Sequence, residues 1–150
     1  MRMLRLGTLL LCAGGLVLSG CDEKLSSIAG PTPTLEPTFK SIQRDIFQTT
    51  DVAGRTACVT CHTNVGRNPS GGMNLLADVA YSQLVNTPSA RKAGVIRVIP
   101  GDPENSYVIQ KLRGRSDIVG VRMPQNGPPY LTDGQIRIFA RWIEIGAPNN

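Results

Sequence analysis

Apolar residues recur at helical spacing in four segments of the chain, and this pattern predicts four helices. The first predicted helix covers residues 38–47, where Phe39, Ile42 and Ile46 lie close to one face. Thr38 stands just before that face and can accept a backbone N–H at the start of the helix.

The last predicted helix, residues 132–145, has the clearest pattern. It opens with Thr132 and, three residues later, Gln135, the arrangement of a capping box in which each side chain bonds the other residue's backbone N–H. Its apolar face consists of Ile136, Phe139, Ala140 and Ile143, widened by Ile138, Trp142 and Ile145. Its polar face consists of Arg137, Arg141 and Glu144. A helix with this pattern buries one side against a core.

Two shorter helices are predicted between these, at residues 74–85 and 102–114. Asn74 precedes the first, Asp102 is the candidate N-cap of the second, and Gly114 can end it. The connections are long and rich in Gly, Pro and Asn, which is unusual in a compact domain unless something fills the space that the loops surround. The pattern predicts an all-α domain of about four helices with long loops.

The first residues read as an export signal. Arg2 and Arg5 precede an apolar run that is too short to span a bilayer as a helix, and the run ends in LSGC. This resembles a bacterial lipobox, so residues 1–20 are predicted to be a lipoprotein signal peptide and Cys21 the lipidated N-terminus. An ordinary cleaved signal peptide is the alternative. Residues 21–37 are rich in Pro and Ser and predict an extended tether, with residues 38–150 forming one domain.

Charge and cysteine content narrow the function classes. The chain has 16 basic and 11 acidic residues, and removal of residues 1–20 would leave a net charge of +3. So small an excess does not suggest nucleic-acid binding. Of four cysteines, only Cys58 and Cys61 remain after the signal peptide and Cys21 are set aside. Two cysteines cannot form a disulfide framework, and a four-ligand zinc site lacks partners.

The stretch TACVTCHTN places Cys58 and Cys61 three positions apart, with His62 immediately after them. Cys-x-x-Cys-His is an attachment signal for c-type haem, because two thiols add to the vinyl groups of the porphyrin and the adjacent histidine is brought beneath the iron. A thioredoxin-like dithiol is the alternative, but it requires a βαβ setting, and no strand-rich pattern precedes Cys58. The motif and the export signal together predict one covalent haem c.

His62 is the only histidine in the chain, so two histidines from one molecule cannot ligate the iron. The sixth ligand would be a methionine, a weaker substitute such as lysine, or water. Met73 and Met123 are the methionines outside the signal peptide. Met73 leads into an apolar helical stripe, where core packing accounts for it. Met123 lies in the polar loop VRMPQNGPPYLTDG, where iron ligation would explain it, so the context favours Met123 and keeps Met73 as the alternative.

The order of an N-terminal helix, CxxCH, a methionine loop and a terminal helix resembles the small monohaem class I cytochromes c over residues 39–147. This resemblance implies a cytochrome c-like fold wrapped around one haem. It implies that Cys58 and Cys61 form the thioethers, that His62 is the proximal iron ligand and that Met123 is the distal one. Tyr81, Arg122 and Trp142 are candidate haem-pocket residues. The segment QTTDVAGRTA before the cysteines departs from the family pattern and leaves open how the first helix docks.

His/Met ligation fills both axial positions, so the expected function is electron transfer without bond chemistry. The expected partners are a redox donor and a redox acceptor, with membrane attachment through lipid and no nucleic acid. The expected location is the bacterial periplasm, anchored to the cytoplasmic or outer membrane. A haem sensor or peroxidase-like domain with a displaceable distal ligand, and a fixed haem subunit of a membrane oxidoreductase, are the alternatives.

Overall fold

The computed structural model describes residues 30–150, which form a mostly helical domain with four α-helices, no β-strand and long loops. The α-helices are α1 (Phe39–Ile42), α2 (Ala80–Leu84), α3 (Tyr107–Arg113) and α4 (Asp133–Glu144). This confirms the predicted helical class. The predicted signal peptide and Cys21 lie outside the described residues. Within residues 30–150, the structure has no helix long and apolar enough to cross a membrane.

Helix α1 begins where the sequence predicts, because the Thr38 side chain accepts the Ser41 N–H. The helix continues as a π-helical turn over Gln43–Phe47, so the chain remains helical through the predicted segment. The Phe39 ring lies 5.5 Å from the ring of Trp142, which fixes α1 against α4.

Helix α4 has the predicted capping box, with both reciprocal hydrogen bonds between Thr132 and Gln135 present. The predicted apolar face is buried except at two positions: Ala140 is partly buried, and Ile145, which follows the last helical residue, is 47% exposed. The predicted polar face points to solvent. Burial of Phe139, Trp142 and Ile143 makes α4 the centre of the core.

The two middle helices begin later than predicted. Asn74 accepts the Leu76 N–H in a turn, and α2 starts only at Ala80. Asp102 similarly accepts the Asn105 N–H in a turn of its own. Short Asn and Asp side chains stabilise such turns as readily as helix starts, and here the turns prevail. The predicted end of α3 is confirmed, because Gly114 adopts the left-handed conformation with φ +70°.

The segment QTTDVAGRTA folds around a single buried side chain. The Arg55 guanidinium is fully buried and pairs with the Asp51 carboxylate at 3.1 Å. Its remaining donors reach the backbone carbonyls of Ile46, Thr56, Asp45 and Thr49 at 3.1–3.2 Å. This network ties the end of the first helical segment to the residues that precede Cys58.

The domain begins before Thr38. Leu35 is 1% exposed and belongs to the hydrophobic core, although the sequence assigned it to the tether. The Gln135 side chain donates to the Thr32 hydroxyl at 2.9 Å, so residues near Pro33 run along the domain and hold the start of α4.

Candidate functional site

A cavity of about 490 Å³ lies between the π-helical turn Gln43–Phe47, α3, α4 and the loops. Its volume falls in the range of sites that hold cofactors and small molecules, roughly 300–1,000 Å³. Much of the lining is apolar and comes from Ile46, Phe47, Leu75, Val108, Leu112 and Phe139. Space of this size beside a hydrophobic core explains why the loops between the helices can be long.

Cys58 lines the cavity, and Cys61 lies beside it on the surface. A short 3₁₀ turn, Cys58–Thr60, arranges the motif, and the Cys58 carbonyl accepts the N–H groups of both Cys61 and His62. The Cys58 thiol donates to the Ile46 carbonyl at 3.4 Å, and burial raises its pKa to about 11. Since a redox-active dithiol needs a thiol that ionises readily, this environment does not favour thioredoxin-like chemistry.

His62 also faces the cavity, and one of its ring nitrogens is already engaged. Its Nδ1 lies 2.8 Å from the Ser70 carbonyl oxygen, so Nδ1 carries the proton and donates it there. Desolvation by burial lowers the pKa of His62, which favours the neutral imidazole. A neutral imidazole with Nδ1 held by a carbonyl presents Nε2 as a free electron pair, the form in which histidine binds metals.

Both candidate methionines line the cavity, and they are held by different parts of the chain. The Met73 backbone lies close enough to His62 to affect the pKa of its imidazole. Met123 is held against α3 through its N–H, which donates to the Lys111 carbonyl at 3.0 Å. The cavity therefore brings together a thiol, an imidazole and two thioethers from separate segments.

The three residues predicted as further pocket members do not line this cavity. The Tyr81 hydroxyl donates to the Ala147 carbonyl at 2.9 Å, and Trp142 Nε1 donates to the Pro148 carbonyl at 2.8 Å. Arg122 stacks on the Tyr130 ring at 4.3 Å, and its Nε donates to the Leu112 carbonyl at 2.7 Å. These side chains instead stabilise the C-terminus and the loop that contains Met123.

Sequence reasoning missed several polar side chains that the structure places at the cavity. Arg97 is only 7% exposed, and Arg91, Tyr107 and Lys111 also line the space. The available signal was the position of Arg97 in the middle of the apolar run GVIRVIP, since a charged residue inside such a run is either buried with partners or turned outwards.

The residues present fit a haem. No group of three or more His, Cys, Asp or Glu side chains within residues 30–150 is arranged to hold a metal. A haem brings its own porphyrin ligands to the iron and needs thiols and an imidazole from the chain. The apolar walls, the paired thiols and the free Nε2 suit such a group.

Comparison of the chain with protein-family models, with curated proteins and with solved structures finds no match.

Proposed function

We propose that this protein is a c-type cytochrome that carries single electrons on one covalently attached haem. The observation that carries the proposal is the convergence of Cys58, His62 and Met123 on one largely apolar cavity. These residues are separated by up to 65 positions in the chain, and each has the chemistry that one part of a haem requires.

Each residue has a specific task in this proposal. The Cys58 and Cys61 thiols would hold the group by thioether bonds, and His62 Nε2 would ligate the iron, with the Ser70 carbonyl fixing the orientation of the imidazole ring. Met123 would supply the second protein ligand of the iron. The group would supply one-electron redox chemistry, and a thioether ligand together with burial favours the ferrous form. With both axial positions filled by the protein, small molecules have no open site.

Met123 suits the distal position better than Met73 does. Met73 belongs to the loop that follows His62, and its backbone is near enough to affect the pKa of the imidazole, which supports a position on the same side of the group as His62. Met123 is positioned independently of that segment by the end of α3 and by its loop. Two ligands on opposite faces of a flat group need supports of this independent kind.

The surface next to the cavity suits brief contact with redox partners. Val119 and Val121 both line the cavity and are 44% and 54% exposed, so the cavity reaches solvent beside apolar side chains. Complexes that transfer electrons tend to have small interfaces, and an apolar edge of this size fits that behaviour. A donor and an acceptor would dock here in turn.

The proposed location follows from the sequence of the N-terminus. Export, removal of residues 1–20 and lipidation at Cys21 would hold the domain at a periplasmic membrane surface. Acyl chains on a single cysteine give stable attachment when two or more are present.

Co-expression with haem maturation factors, followed by a reduced-minus-oxidised spectrum and an intact mass, tests the proposal. We expect one haem per chain, resistant to acid–acetone extraction, and loss of covalent attachment in the double variant Cys58→Ser/Cys61→Ser. Cys21→Ser is the matched control and should keep the haem while losing the lipid. A colourless mature protein with the mass of the bare chain and its lipid would refute the proposal. Rapid carbon monoxide binding to the reduced protein would support a sensor or peroxidase-like domain instead.

A further inference from the structure

The cavity carries positive charge that the chain does not balance. Arg91, Arg97 and Lys111 all line it, whereas none of the aspartates and glutamates in the described part of the chain does. Burial of a cation away from water is unfavourable unless an anion or hydrogen-bond acceptors compensate it. The partners of each cation therefore indicate what the cavity is built to hold.

Lys111 is compensated by the chain itself. Its Nζ donates to the backbone carbonyls of Val119 and Val121, which holds the loop after α3 at the cavity. This lysine serves the loop and has few donors left for an occupant of the cavity.

Arg97 is compensated only in part. Nη1 donates to the Gln83 carbonyl at 2.7 Å, and Nη2 donates to the Gly72 carbonyl at 2.9 Å. No carboxylate in residues 30–150 pairs with this guanidinium, and desolvation lowers its pKa. These two bonds and a longer one of 3.4 Å from Nη1 to the Gln83 Oε1 orient the group but leave its charge unpaired at the cavity wall.

Arg91 lies beside the same stretch of wall. A Cβ built on Gly71 would be 3.9 Å from Arg91 Cγ, and Gly72 is the residue whose carbonyl binds Arg97. No side-chain hydrogen bond or ion pair engages the Arg91 guanidinium in the part of the chain that the structure describes. Two guanidinium groups without carboxylate partners thus flank the Gly71–Gly72 turn, next to the carbonyl that holds His62.

We infer that Arg97 and Arg91 form an anion subsite that binds the carboxylates of the cavity's occupant. The inference rests on the proposed function, under which those carboxylates are the two propionates of the haem. A guanidinium is the side chain best suited to this task, because it is always charged and can bind a carboxylate through two parallel N–H bonds. The subsite would orient the group within the cavity and neutralise the charge of both partners.

The test measures the reduction potential of the haem-loaded protein as a function of pH. Ionisation of a propionate adds negative charge near the iron and stabilises the ferric form, so the potential falls as pH rises through the propionate pKa. A cation within about 4–6 Å lowers a carboxyl pKa by about 1–3 units. We therefore expect the pH at which the potential falls to rise by about one pH unit or more in Arg97→Gln. In Arg91→Gln, whose side chain is more exposed, it should rise by at least about half a pH unit.

The matched control is Arg137→Gln, which removes the same charge from the solvent face of α4 and should leave the pH of the fall unchanged. Arg97→Lys keeps the charge, so the pH at which its potential falls should lie between the values for wild type and Arg97→Gln. The remaining ionisable side chains that line the cavity are Cys58, His62, Tyr107 and Lys111, and none of them is a carboxyl group.

The outcomes separate this inference from the proposed function. Protein that attaches no haem refutes the proposed function itself. Haem-loaded Arg97→Gln and Arg91→Gln with the wild-type pH profile overturn the subsite alone. Should Arg97→Gln fail to fold, Arg91→Gln decides, because its exposed side chain can be replaced without disturbing the core.

Discussion

Arg55 offers the sharpest test of how the segment before Cys58 is held, because the hydrogen bonds around Arg55 do not involve any bound group. The guanidinium and its partner Asp51 are almost fully buried, with exposed side-chain fractions of 0% and 1%. All five N–H donors of Arg55 have acceptors, one on Asp51 and four on backbone carbonyls. Arg55→Met keeps most of the volume and removes the charge and every one of these bonds.

The expected loss is large because the variant leaves the Asp51 carboxylate buried without its cation. Removal of one partner from a buried ion pair typically costs about 3–5 kcal/mol of unfolding free energy. For a domain of this size, such a loss corresponds to a fall of roughly 10–20 °C in the unfolding midpoint. The double variant Asp51→Asn/Arg55→Met should recover part of the loss, because the uncompensated charge is then gone.

Urea and thermal unfolding of the mature protein, with wild type and variants in the same haem state, measures these differences. Arg44→Met is the matched control: Arg44 also pairs with an aspartate, Asp45, but the arginine is 56% exposed and the variant should leave the midpoint almost unchanged. A loss below about 1 kcal/mol in Arg55→Met would refute the reasoning. So would equal losses in the single and double variants.

Three further predictions concern the site and the last helix. Met123→Ala should abolish the far-red band that marks thioether ligation of ferric haem, whereas Met73→Ala should retain it. In apoprotein at pH 7.5, iodoacetamide should modify Cys61 before Cys58. Cys58 should react roughly 20-fold more slowly than an unperturbed thiol, because its pKa of about 11 leaves little thiolate at this pH. The higher nucleophilicity of a thiolate with a high pKa offsets only part of this loss. Thr132→Ala should lower the unfolding free energy by about 1 kcal/mol, because it removes half of the capping box.

Each of these has a result that contradicts it. Loss of the far-red band in the Met73 variant alone would assign the thioether ligand to Met73 instead of Met123. Equal alkylation of both thiols across the pH range 7–9, read by peptide mass, would show that burial does not suppress the Cys58 thiolate. Retention of full stability in the Thr132 variant, by urea unfolding, would show that the capping bonds add nothing to α4.

Local interactions made some features of this fold predictable. The start of α4 and the end of α3 depend on residues within one turn of each other, so Thr132 and Gly114 could be identified directly. The predicted starts of α2 and α3 were wrong because Asn74 and Asp102 can also close isolated turns. Which of the two conformations forms depends on packing that the local sequence does not describe.

The sequence by itself determined the chemistry available to this protein. The spacing of Cys58, Cys61 and the only histidine, and the small number of methionines, defined the candidate ligands before any fold was known. The tertiary structure decided which other side chains meet them. Trp142 turned into the core and Arg97 turned towards the cavity, because a side chain's direction is set by contacts between segments far apart in the chain, and spacing along the chain carries no record of those contacts.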